Sequence, residues 1–428
     1  MKKPGSADAT IESLDPIVEV PRKTILAQSG YWILVFIIIL GIGFVFLYRA
    51  ETSKRMAARH ASSWQSVNLS IQLITDEVSD TFSDLGYLAR QNELAELLHG
   101  DGMNAGERLG AEYLAFLINK RVYDQVRYID ADGMEIVRVN INHGDPEIVQ
   151  PHKLQDKSHR YYFRHVMDLE PGQIYLSPFD LNLEVGELET PIKPVLRIGT
   201  PVRDAAGRKR GFVMLNYLGN YLIDRITATG GATDVNTWLL NAESYWLKGP
   251  ETAVEWGFMY PEQHNDTFKR YYPQAWQRMM PSDKGQFISA GALFTFAKVY
   301  PCLLSTETVI RSVFAPEDYH WTVVSTVPED VLAADRLDIA QRLLAMYGLV
   351  LVLLTPVSWL LARLSVRQKS LTAAMTKILN NVPVLISYVD AKQRFRFTNA
   401  AYGRFFGTSQ SQLIDHTLAS VMAQDRYE

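Results

Sequence analysis

The densest group of chemically capable side chains lies in "GQIYLSPFDLNLEVGELETP", residues 172–191, where a strand-like run empties into Asp180, Glu184, Glu187 and Glu189. Asp180, Asn182 and Glu184 alternate as the first, third and fifth ligands of a calcium loop do. The sixth position, which needs glycine for its sharp turn, is Val185, and the twelfth, which needs a bidentate carboxylate, is Pro191. No metal is expected there, and Glu184, Glu187 and Glu189 read as a solvated loop. Hydrolytic chemistry is no better supported. The chain has no H-E-x-x-H, no G-x-S-x-G and no P-loop, His143, His152, His159 and His165 lack metal spacing, and "GTPVRDAAGRKRG" reads as a hairpin turn. No catalytic residue, metal or cofactor is expected within these 428 residues.

A different grouping suits binding. Arg160, Tyr161, Tyr162 and Phe163 adjoin on a short amphipathic stretch, Tyr175, Ser177 and Asp180 follow along a strand, and Arg197 lies on the next one. An aromatic wall with a few convergent polar groups is what a small-molecule site requires. Arginine clamps a carboxylate with its planar fork and Asp180 can receive an ammonium, so the set suits an amino acid or another small organic acid. The plainer alternative stays open: "RYYF" packs its helix on the sheet, and Arg160 pairs with Asp180. Tyr245, Trp246, Trp256 and Phe258 are dense enough to read as core.

These side chains need elements to hold them. Val67, Ile71, Ile74, Val78, Phe82, Leu85 and Ala89 recur at helical spacing with no proline between Ala50 and Gly100, which predicts one long helix ending near "HGDG". In "VRYIDADGMEIVRVN" two strand-like runs flank Ala131, Asp132 and Gly133, a hairpin signature. "KPVLRIGTPVRDAAGRKRGFVMLNYL" repeats strand, turn and strand. Further strand runs follow in "VNTWLLNAESYWLKGP", "GQFISAGALFTFAKVYP" and "HWTVVSTVP". The expected fold class is α+β, two strand-rich modules in tandem on one long helix.

Residues 25–48 and 343–362 are uncharged apolar runs. Each reaches the roughly 20 residues that a helix needs to cross a bilayer, and the first far exceeds the apolar part of a signal peptide, about 7–15 residues. Arg363, Arg367, Lys369 and Lys377 follow the second run and place the C-terminus in the cytoplasm. Two spans put the N-terminus there as well, and the segment between them faces outward. A net charge of −4 without a basic stripe gives no reason to expect nucleic acid. Cys302 is the sole cysteine, which excludes an intrachain disulfide and is compatible with a bacterial periplasm.

From about residue 56 to 328 the chain resembles double Cache extracellular sensors. The residues that carry the likeness are "YIDADGMEIVRV", "HRYYF", "IYLSPFDLNLEVGELETPIKPVLRIGTPV", "GFVMLNYLG" and "LLNAESYWLKGPETAVEWGFM". The resemblance implies two tandem PAS-like (Cache) modules on a long N-terminal helix, with the ligand in the membrane-distal module. By motif position it assigns ligand contact to Arg160, Tyr162, Tyr175 and Asp180. "VLISYVDAKQRFRFTNAAYGRFFG" resembles the start of a cytoplasmic PAS domain, in which Asn399 closes the second strand, and residue 428 falls about halfway through such a domain.

The expected organisation is a cytoplasmic tail (1–24), a transmembrane helix (25–48), a long periplasmic helix (49–99), a distal module (100–220), a proximal module (221–335), a second transmembrane helix (343–362), a signalling helix (363–380) and the N-terminal half of a PAS domain (381–428). Leu364, Leu371, Ala374 and Ile378 form a short stripe that could pair with its copy in a homodimer. The function expected is that of a bacterial inner-membrane receptor that binds a small ligand outside and signals to the PAS domain and an output enzyme beyond residue 428. By likeness of its PAS opening, that output is a diguanylate cyclase or cyclic-di-GMP phosphodiesterase. The alternatives are the input region of a sensor histidine kinase and a membrane-anchored binding protein without enzymatic output.

Overall fold

Val67, Ile74, Val78 and Leu85 are buried, so the helical spacing in the sequence is the core-facing stripe of α1 (Arg22–Leu88). The computed structural model describes residues 22–100, 104–142, 144–184, 187–228, 235–305 and 308–421. The expected tail up to residue 21, His143, Val185 and the last residues of the PAS segment lie outside them. The single helix expected up to "HGDG" is corrected. Helix α1 stops at Leu88, Gln91 is extended (φ −65°, ψ 144°), and α2 (Asn92–His99) restarts and buries Leu94 before Gly100 ends it in the left-handed region.

Residues 52–337 form one unit. After α3 (Ala105–Lys120) come β1 (Tyr123–Asp130), β2 (Glu135–Asn142) and β3 (Asp145–Ile148), then α4 (Tyr161–Met167), β4 (Ile174–Leu176) and β5 (Asp180–Leu181). A small ladder, β6 (Leu183–Glu184) with β7 (Glu187–Leu188), precedes the long pair β8 (Pro194–Arg203) and β9 (Lys209–Leu218). Strands β4, β8, β9, β1, β2 and β3 lie side by side in that order, all antiparallel. One face of this sheet sends Val126, Val139, Ile198 and Leu215 into the core shared with Leu109 and Tyr113 of α3 and with α1. On the other face Ile129, Phe212 and Met214 pack against Tyr162 and Val166 of α4.

Helix α5 (Gly219–Ala228) leads to β10 (Asn236–Asn241), β11 (Trp246–Lys248), α6 (Phe268–Tyr271), α7 (Pro273–Met279), β12 (Lys284–Ser289), β13 (Ala292–Val299), β14 (Ile310–Arg311) and β15 (Trp321–Val327). Strands β11, β10, β15, β13 and β12 make a second antiparallel sheet around Trp238, Trp246, Phe268, Phe294 and Phe296. Strand β14 instead returns to the first sheet and pairs parallel with β4, and the Tyr319 hydroxyl donates to the Ser177 carbonyl at 2.8 Å. The first sheet is thus completed by residues well past 220. Near the start of α8 (Glu329–Asn381), Asp335 accepts from Arg59 Nε at 2.9 Å and lies 3.9 Å from Arg55.

Residues 1–51 and 338–428 are the other unit. The apolar stretches of α1 and α8 are each long and apolar enough to cross a membrane and are almost unburied in protein. Ser29 and Ser358 share a hydrogen bond of 3.0 Å between them. Beyond α8, β16 (Ser387–Val389) pairs with β17 (Phe395–Thr398), and α9 (Ala400–Phe406), α10 (Gln410–Leu413) and α11 (Leu418–Val421) follow. Asn399 does close β17: its fully buried amide donates to the carbonyls of Leu379 (2.9 Å) and Val384 (2.8 Å), and its Oδ1 accepts from Tyr402 N–H to cap α9.

The β1–β2 hairpin forms as expected, and its turn does more than reverse the chain. Asp130 Oδ1 accepts from the N–H groups of Asp132 (3.0 Å) and Met134 (2.8 Å), while Gly133 adopts φ +97°. Lys157 N–H donates to the Gly133 carbonyl (2.7 Å) and Glu135 N–H to that of Gln155 (3.1 Å), so residues 155–158 are stapled onto the turn. A Cβ at position 133 would stand 2.6 Å from Ser158 N. Gly133→Ala is therefore expected to cost at least about 1 kcal/mol, read as a lower apparent thermal midpoint of the detergent-solubilised chain.

Candidate functional site

Side chains two apart on a strand share a face, and cross-strand partners share it too. Gln125 is opposite Asn140 on one side and Asn216 on the other, and Asn216 is opposite Arg197. These four form a polar row across β8, β9, β1 and β2. Two residues along, Arg127 and Arg138 face each other directly. Like charges so placed repel, so the pair requires a counter-charge.

Glu135 supplies it. The carboxylate has no solvent exposure, and its Oε2 accepts from Arg138 Nη1 (2.9 Å) and Gln155 N–H (3.1 Å). Its Oε1 lies 3.7 Å from Arg127 and 3.9 Å from Lys157. Arg127 also donates to Asn216 Oδ1 (2.7 Å) and Tyr162 Oη (3.3 Å), with its guanidinium 5.7 Å from the Tyr162 ring centroid. Burial pulls the Lys157 ammonium down to about 8, against the upward pull of Glu135, and Arg127, Arg138 and Arg160 add to the fall. Over this polar face, roofed by residues 155–160 and α4, lies a cavity of about 420 Å³.

The seven residues singled out in the sequence divide between the cavity and its support. Arg160, Tyr162 and Arg197 line the cavity. Arg160 stands immediately before α4, and its guanidinium forms no hydrogen bond or ion pair among the described residues. Tyr161, Tyr175, Ser177 and Asp180 are not on that wall. Asp180 accepts from Arg197 Nη1 at 2.6 Å and from Tyr161 Oη at 3.4 Å, and burial raises its pKa against the downward pull of Arg197. Arg197 Nη2 also reaches Asn182 Oδ1 (2.9 Å). The partner of Asp180 is thus Arg197, on β8, and not Arg160, which precedes α4. Ser177 Oγ accepts from Arg197 N–H (2.9 Å) and donates to the Pro178 carbonyl (2.7 Å), so it ties β4 to β8. The Tyr175 ring is fully buried and stacks on His165 at 5.9 Å.

Glu189 departs from the solvated reading: it pairs with Lys193 (2.6 Å) and accepts from Asn182 Nδ2 (2.8 Å), which holds the loop down. Glu187 is exposed, and the Glu184 side chain lies outside the described residues. Residues that sequence reasoning missed are Gln125, Arg127, Arg138, Asn140 and Asn216 on the strands, and Lys157 and Asn182 beside them. A signal for two of them was present. "VRYIDADGMEIVRV" places an arginine inside each arm of the hairpin, where a sheet covered on both faces carries apolar residues.

Two largely antiparallel sheets in tandem behind one long helix, with a buried polar cavity over the first, define a double Cache type of sensor module. The model of the bacterial histidine kinase sensor domain matches residues 75–310, more than half of the chain, and the chain belongs to that family. The PAS fold matches residues 379–428. Among solved structures, the extracellular domain of a protein described as a histidine kinase, vpHK1S-Z8, is 21% identical with a TM-score of 0.52, covering 67% of this chain and 94% of that one. A domain of a protein from Vibrio parahaemolyticus described as sensory box/GGDEF family has the same identity and TM-score, covering 67% of this chain and 99% of that one. Both likenesses concern the fold. No curated protein matches the chain.

Two outcomes test this geometry. Glu135→Gln leaves three cations around a buried neutral amide and is expected to destabilise the fold by about 3 kcal/mol, measured as a lower urea midpoint. Lys157, with a folded pKa below its unfolded value, is charged in both states below pH 8, so its burial cost is present there in full. That cost is relieved as pH rises from 8 towards the unfolded value near 10.5. The thermal midpoint of the wild type, relative to that of Lys157→Met, is therefore expected to rise between pH 7.5 and 9.5 (on the order of one to two units either side of the shifted pKa).

Proposed function

We propose that this chain is a bacterial inner-membrane receptor that binds a small extracellular organic ligand, an amino acid or organic acid, in the cavity over its first sheet. The observation that carries this reading is Arg160: a cation without a hydrogen bond or ion pair among the described residues, on the wall of a cavity whose size falls in the small-molecule range of roughly 300–1,000 Å³. The apolar runs in α1 and α8 support two spans, with both termini in the cytoplasm and the sensor in the periplasm. The ligand acts by binding one arrangement of these helices more tightly than another, since without differential affinity no population shifts. The end of α8 passes the shift to the PAS segment, and the Leu364 to Ile378 stripe, exposed along one helix, pairs with its copy in a homodimer.

The output we propose is a diguanylate cyclase or cyclic-di-GMP phosphodiesterase, on the likeness of the PAS opening alone. A histidine kinase output is the second reading, favoured by the family of the sensor domain. Reading the gene past the codon for Glu428 separates them, and a stop codon there would favour a binding protein without enzymatic output. For the sensor itself, the full chain in detergent is screened by thermal shift against amino acids and organic acids. A hit is expected, and Arg160→Ala is expected to weaken it at least about tenfold, the loss of one charge-assisted hydrogen bond. A hit unmoved by that change would place the site elsewhere.

A further inference from the structure

The cavity has an unbalanced charge that goes beyond a generic small-molecule site. Arg127, Arg138, Lys157, Arg160 and Arg197 contribute to its wall. The two carboxylates that pair with them are both committed: Glu135 to Arg138, Arg127 and Lys157, and Asp180 to Arg197 and Tyr161. Among the described residues, five cationic side chains against two carboxylates leave a formal excess of three positive charges. Arg127 is almost wholly buried, and its Nε and that of Arg138 are buried donors without a partner among the described residues. Buried positive charge without a counter-charge is costly, and an anion within the cavity lowers that cost.

An α-amino acid fits this wall poorly. Its ammonium would enter a field of like charge, and among the described residues no carboxylate lines the cavity to receive it. A second acidic group, in contrast, finds a further guanidinium within the same cavity.

Resting on the reading that this cavity is the sensor's ligand site, we infer that its ligand is a polycarboxylate, an organic acid with two or three carboxylates and no ammonium group. Arg160 and Lys157, on the covering segment, meet one carboxylate, and Arg127 and Arg138, on the sheet, meet the other. A ligand so held bridges the covering segment and the sheet, which gives it preference for the arrangement in which the two lie close.

The test titrates the detergent-solubilised full chain with citrate, succinate, inorganic phosphate, L-alanine and L-lysine at matched ionic strength, by calorimetry and thermal shift. Citrate or succinate is expected to bind at least about tenfold more tightly than L-alanine, one added charged contact. Arg160→Gln is expected to weaken that binding by a similar factor. Glu135→Gln, which removes a negative charge beneath the cavity, is expected to tighten it even though the ligand-free protein melts at a lower temperature. A purely structural role for the cluster predicts no such opposite movement. Tight binding of L-alanine or L-lysine that Arg160→Gln abolishes overturns the polycarboxylate assignment and leaves the sensor reading standing. Binding of phosphate alone overturns the carboxylate chemistry, as does polycarboxylate binding that neither variant changes. Failure of every probe to bind overturns the inference, while a hit from the broader screen that responds to Arg160→Ala would still uphold the site.

Discussion

The first sheet of this protein depends on one arrangement, a buried carboxylate surrounded by cations. Glu135 has no exposure to water and holds Arg138, Arg127 and Lys157 around it, while its neighbour in sequence, the Gly133 turn, binds the segment that carries Lys157. A buried ion cluster is weak evidence for stability, because desolvation offsets much of the attraction. What it provides is placement. Each guanidinium is directed by a partner that has few other options, and the cavity above inherits charges whose positions are set before any ligand arrives.

The second layer of support lies one strand away. Arg197 is gripped by Asp180, Asn182 and Tyr161, and its backbone N–H by Ser177. Ser177 in turn accepts from Tyr319 through its carbonyl, just before β15 enters the second sheet. Together with the β14–β4 pairing, this makes the two sheets of residues 52–337 share structure rather than hang from a hinge. The arrangement connects the cavity floor to the second sheet through packed, hydrogen-bonded groups.

Much of the fold was legible. The stripe from Val67 to Leu85 announced α1, Asp132 and Gly133 the hairpin, and the alternating runs the two sheets, because each signal is local and each periodicity corresponds to one face of one element. The break at Gln91 was not legible, since nothing in "LARQNELAELL" interrupts helical patterning with glycine or proline. Nor could β14 be placed: two residues carry no period, and their partner strand lies far away in sequence. At the cavity, Arg160 and Tyr162 stood out because they adjoin other aromatics in one short stretch, and Arg197 because it lies on the strand that follows. Arg127 and Arg138 were passed over because an arginine in a strand reads as solvent-facing until its register is known.

By itself the sequence determined the fold class, the two apolar runs and the presence of arginines and aromatics around α4, all consequences of composition and local periodicity. Only the tertiary structure decided which carboxylates remain available to a ligand. Asp180 read as an acceptor for an ammonium, but in the fold it is consumed by Arg197, and Glu135, unremarkable in a hairpin, became the buried anion beneath the cavity. The physical reason is that charge balance in a low-dielectric interior is a property of neighbours in space. Register across β8, β9, β1 and β2 brings those neighbours together, and register is set by pairings that no single stretch of the chain contains.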